Sequence, residues 1–77
     1  MVQIILTHHV AYRLFERGFS IEKIKEVILK NHKFAKNNIN EIIVVRGVLI
    51  DGRILEVVCK YSTKNTIVII TAYYYEY

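Results

Sequence analysis

Apolar residues follow two different spacings along this chain of 77 residues. Between residues 8 and 31 they recur every three or four positions, the period of a helix with one buried face. From residue 41 onward they fall into aliphatic runs broken by turn formers, which reads as strands. "VQIIL" (2–6) is a short strand ending at Thr7. Thr7 is placed to cap a helix over 8–17, with Gly18 as the residue just past its end. Ser20 caps a second helix over 21–31, in which Ile21, Ile24, Val27 and Ile28 share a face. Glu26 and Lys30 form a favourably ordered i,i+4 pair on its exposed side. "NHKFAKNNIN" (31–40) shows no period and reads as a loop.

The second half contains "EIIVVRGVLI" and "RILEVVCKY", joined by Asp51-Gly52, then the turn "STKN" (62–65) and a last strand "TIVIITAYY" (66–74). Asp-Gly between two such runs predicts a two-residue type I′ hairpin. The order is β-α-α-β-β-β, an α+β fold with two N-terminal helices packed on an antiparallel sheet. The hairpin register sets Val48 opposite Leu55, Arg46 opposite Val57 and Val44 opposite Cys59. If Tyr61 pairs with Thr66, Cys59 faces Val68 and Val57 faces Ile70. That face, completed by Tyr74, packs on the helices. The other face mixes Gly47, Glu56, Lys60, Thr71 and Tyr73 with Ile43, Val45, Val58 and Ile69, a composition suited to a contact surface. Arg46 conflicts with this scheme, because an unpaired guanidinium on the aliphatic face would cost several kcal/mol. Either a bulge at Gly47 turns it outward, the preferred reading, or an acid at the helix edge pairs with it.

Composition supports one folded domain over 1–77: 53% of residues are hydrophobic, with no proline and three glycines. The single Cys59 lies in an apolar run and reads as a buried, inert thiol. "MVQIILTHH" has too short an apolar run, and no basic segment before it, for a secretory signal. No stretch approaches the ~18 apolar residues of a membrane span. The chain therefore reads as soluble and cytoplasmic, with no membrane partner.

Charge changes the picture more. The net charge is +4. Residues 1–40 hold seven Lys/Arg against three acids, whereas residues 41–77 hold four of each sign. The excess sits wholly in the first half, which suits a polyanion or an acidic protein facing the N-terminal elements, or else ordinary solvated helix surface.

On the first helix Ala11, Leu14 and Phe15, with Val10, form the expected buried face. His9, Arg13 and Arg17 lie within about 80° of one another on the far side, away from that face, and can meet one ligand. Neutral imidazole is a usable base or acceptor near pH 7. The planar fork of arginine donates paired charge-assisted bonds to phosphate. The alternative is that both arginines are simply solvated, with Glu16 balancing them. No H-x-x-x-H, C-x-x-C or HExxH spacing occurs, so no metal ligand set is expected, and no glycine-rich phosphate loop is present. Four tyrosines crowd the last five residues. Tyr73 and Tyr75 fall on the mixed face, where Tyr73 would stack on a base or orient a phosphate, unless these residues only finish a fraying end.

"HHVAYRLFERGFS" resembles the H-A-x-x-R-x-x-E-R-G-I-S opening of a family of small prokaryotic domains of unknown function, with Val10 where alanine is usual. "GRILEVV" (52–58) and "IITAY" (69–73) resemble that family's later motifs, so the likeness spans nearly the whole chain. It carries over to His9, Arg13, Glu16, Arg17, Gly18, Arg53 and Tyr73. "ERGFSIEKI" is also similar to a segment of BrnT-type toxins, which belong with RelE/ParE-like toxins. The resemblance implies a RelE/ParE-like fold and the toxin of a type II toxin–antitoxin pair. The activity it implies is metal-independent, cofactor-free cleavage of RNA, which includes ribosome-associated RNA, and the partner is an acidic antitoxin. On that reading His9 is base or acid, and Arg13 and Arg17 clamp phosphate. Lys60 and Tyr73 contribute catalytically from the mixed face, and Arg53, Lys23 and Tyr75 bind RNA. The alternative is a nucleic-acid- or protein-binding module without nuclease activity, as in ParE-like inhibitors. A homodimer through the apolar sheet face is compatible with either.

Overall fold

The computed structural model describes residues 2–34 and 38–76. Strand β1 (Gln3–Ile5) leads into helix α1 (His8–Glu16), whose first turn is capped by Thr7: its hydroxyl accepts from the Val10 N–H at 3.2 Å. α1 ends in a Schellman arrangement. The Gly18 N–H donates to the Phe15 carbonyl at 3.0 Å and the Phe19 N–H to that of Leu14 at 2.9 Å. Gly18 has φ +83, which L side chains rarely adopt. Ser20 caps helix α2 (Ile21–Asn31) through the Lys23 N–H, and Lys30 bonds Glu26 at 2.9 Å on its exposed side. Part of the segment read as a loop is ordered differently: His32–Phe34 is a 3₁₀ turn, and residues 35–37 lie outside the described part. Strands β2 (Ile42–Val48), β3 (Ile54–Thr63) and β4 (Thr66–Tyr74) follow.

The sheet order is β1-β4-β3-β2. β2, β3 and β4 are antiparallel, but β1 lies parallel to β4, so the sheet is mixed rather than wholly antiparallel. The two helices supply the crossover that a parallel pairing needs.

The hairpin register differs from the expected one by a single residue. Arg46 pairs with Glu56 and Val45 with Val57. The Leu49 N–H donates to the Arg53 carbonyl, and the Gly52 N–H to that of Leu49. The connection is thus a three-residue loop, Ile50-Asp51-Gly52, with Gly52 at φ +89. A type I′ turn needs positive φ at both central residues, and Asp51 does not have it. Because side chains alternate, a one-residue slip exchanges every face of β2. Ile43, Val45 and Gly47 point into the core, while Val44, Arg46 and Val48 point out. This resolves Arg46 without a bulge at Gly47. Its guanidinium lies on the open face, bonds the Glu56 carboxylate at 2.8 and 3.1 Å, and sits 4.5 Å over the Tyr75 ring. β4 is corrected too: Ile67, Ile69 and Ala72 are buried, opposite Tyr61, Cys59 and Val57, and neither Val68 nor Ile70 is.

The core lies between the helices and one sheet face. Leu14, Ile24, Val27 and Ile28 meet Ile43, Val45, Leu55, Val57, Cys59, Tyr61, Ile67, Ile69 and Ala72. Each large aliphatic contributes roughly 1.5–3 kcal/mol by leaving water. Tyr74 closes one end by stacking on Phe19, centroids 5.0 Å apart. The Tyr61 hydroxyl is satisfied by His32 Nδ1 at 2.6 Å. Phe15 does not join this core: it is 73% exposed, and α1 is held by Leu14 with Val10 and Ala11 half-buried. The helix is rotated so that its buried line runs through Val10 and Leu14, four residues apart.

Candidate functional site

β1 covers β4 only as far as the pair Ile5↔Val68. The chain then leaves the sheet, and Thr7 starts α1. β4 carries an irregularity just beyond that point: Val58 pairs with Thr71 and Cys59 with Ile69, leaving Ile70 as the extra residue of a bulge. Bulges bend a strand and often adjoin sites. Between α1 and this part of β4 runs a groove of about 270 Å³, lined by His9, Val10, Arg13, Leu14, Arg17, Ile70 and Thr71.

The three stripe residues are therefore together on one concave surface. Val10 and Leu14, the residues that anchor α1, form its apolar floor beside them. The i, i+4, i+8 spacing sets the imidazole and two guanidinium groups in a row along one wall. Among the described residues no ion pair or side-chain hydrogen bond engages His9, Arg13 or Arg17, and no acidic side chain lines the groove. A phosphate entering it meets two cations with free donors and one proton-transfer group, against an uncharged opposite wall.

The other predicted residues lie elsewhere. Lys60, between Ile42 and Val68, and Tyr73, opposite Glu56, are on the open sheet face. Tyr75 packs against Arg46, and its N–H donates to the Ile54 carbonyl at 2.8 Å, so this part of the tail is held to the sheet. Arg53 is engaged at the hairpin: its Nε donates to Asp51 at 2.7 Å and its guanidinium covers the Tyr74 ring at 4.3 Å. Arg53 holds the Asp51 carboxyl below its usual range, first through the backbone N–H and then through the side chain. Lys23 lines a different cavity of about 390 Å³, between α2 and the hairpin, with Glu26, Lys30 and Leu49. Sequence reasoning missed Ile70 and Thr71 as the second wall. Its one signal was a threonine interrupting an aliphatic strand, and nothing in the sequence locates the bulge.

Two helices over one face of a four-stranded sheet, with a cationic groove at the helix–strand junction, define a small α+β domain. The chain belongs to the DUF4258 family, a domain of unknown function, whose sequence profile matches residues 6–74. No curated protein and no solved structure matches it. No helix among the described residues is long and apolar enough to cross a membrane.

Proposed function

We propose that the α1–β4 groove binds RNA and cleaves it without a metal, as the cytoplasmic toxin of a toxin–antitoxin pair. The observation that supports this is the grouping of His9, Arg13 and Arg17 in one groove with no local ion pair. Transesterification within RNA needs a base for the ribose 2′-hydroxyl, cations on the phosphate and a proton for the departing 5′-oxygen. His9 takes the 2′-proton while water protonates the departing 5′-oxygen, or it protonates that oxygen while water accepts the 2′-proton. The 2′-oxygen bonds to phosphorus as the 5′-oxygen departs, giving a 2′,3′-cyclic phosphate and a 5′-hydroxyl. Arg13 and Arg17 hold the phosphate as its charge rises. Lys60, Tyr73, Tyr75, Arg53 and Lys23 would meet RNA beyond the groove and take no chemical step. The basic first half suits an acidic antitoxin.

A binding module without nuclease activity is the second reading. It is favoured by the single imidazole and the absence of a carboxylate in the groove. Incubating labelled single-stranded RNA with the protein and a chelator separates the two. The nuclease reading expects cyclic-phosphate ends, and losses of about 10²–10⁴-fold in rate for His9→Ala. Binding without cleavage, or cleavage unchanged in His9→Ala and Arg13→Ala, leaves the binding module.

A further inference from the structure

The opposite edge of the sheet carries an independent observation. β2 is the outer strand there, with β3 on one side only. Its seven residues include no proline and no lysine. Its outward aliphatics are open: Ile42 is 63% exposed, Val44 45% and Val48 72%. Arg46, the one charge on the strand, is already bound to Glu56. Natural edges are normally blocked by lysine, proline, a bulge or a covering element, and β2 pairs with β3 in unbroken register. Just past its two ends, Ile39 and Ile50 are also exposed, Ile50 almost completely.

We infer that β2 pairs antiparallel with β2 of a second copy, about a twofold axis at Val45. Self-complementarity selects a copy of this chain rather than a foreign strand. Residues directly opposite in an antiparallel pair share a face, so outward positions must oppose outward positions. An axis at Arg46 sets two guanidinium groups opposite each other, which is destabilising. An axis at Val44 leaves Val48 beyond the end of the other strand. An axis at Val45 uses the whole strand. Ile42 then meets the partner's Val48 twice over, as an isologous interface requires, and Val44 meets the stem of the partner's Arg46. It also draws the exposed Ile50 toward the partner's Ile39. The two four-stranded sheets become one continuous sheet, with an α1–β4 groove near each far edge.

Sedimentation equilibrium on the full chain, across about 1–500 µM, tests this. A single-strand seam is a small interface, so a dissociation constant on the order of micromolar is expected. Ile42→Lys and Val48→Glu each alter an exposed side chain, and circular dichroism checks that the fold persists. Each substitution alone should weaken the dimer about tenfold or more. An equimolar mixture of the two variants should regain dimer, because each heterodimer then opposes lysine to glutamate on one side and isoleucine to valine on the other. A wild-type monomer throughout the range overturns the proposal and leaves the seam to a strand of another protein. So does a dimer unmoved by both substitutions, or a mixture no tighter than its components.

Discussion

Gly47 faces α2 with no room for a side chain. A Cβ there would lie 2.8 Å from Val27 Cγ1 and 2.9 Å from Asn31 Nδ2. Asn31 is itself tied to the Val27 carbonyl at 2.9 Å, so it gives way poorly. Gly47→Ala is expected to destabilise by about 1–3 kcal/mol, by overpacking rather than by any backbone preference. Urea unfolding measures it, and no loss would mean that α2 sits further from the sheet. The sequence placed this glycine on the mixed face, where it invited a bulge. Cys59 was legible without the structure: it is fully buried, and burial pushes its thiol up to about 11. The neighbouring Tyr61 is raised as well, first by burial and then by Cys59. Groups whose folded values are raised stabilise below their unfolded values and lose that contribution as pH rises through the folded ones. Melting temperature should therefore fall as pH rises from about 9 to about 11, and thiol reagents should label Cys59 only on unfolding.

At the scale of elements, the helices and the inward face of β3 were readable, and the faces of β2 and β4 were not. α2 occupies the predicted 21–31, because its cap, apolar period and end signals agree. The β2–β3 hairpin failed at one turn, where Asp-Gly serves two loop lengths that differ by a residue. The sign that it was wrong was already present in Arg46, which the two-residue turn would have buried. The one-residue slip there and the bulge at Ile70 arise from backbone geometry that hydrophobic patterning does not encode. The stripe depends on the start of α1, so Thr7 is the element-scale test. Thr7→Ala removes the acceptor for the Val10 N–H. It should cost about 1 kcal/mol, or about 4–8 °C in melting temperature for a domain of this size. A cap that contributed nothing would leave the melting curve unchanged.

Across the whole molecule, ion pairing sets the stripe apart from several other cations. Three of the cations outside the stripe, Lys30, Arg46 and Arg53, are bound to acids. Those of the stripe are not, and they line the groove. Spacing alone put His9, Arg13 and Arg17 on one side of a helix. It could not supply the opposite wall, which is built from β4 about sixty residues further on. The central claim is that this groove is a polyanion site, and the salt dependence of RNA binding addresses it without requiring catalysis. Affinity for a short single strand should fall linearly on a log–log plot against salt, with a slope near 0.7 per phosphate neutralised. Arg13→Gln with Arg17→Gln, folded by circular dichroism, should flatten that slope by about 1.4 and weaken binding at low salt. The same slope and affinity in wild type and double variant would place the RNA elsewhere and contradict the account.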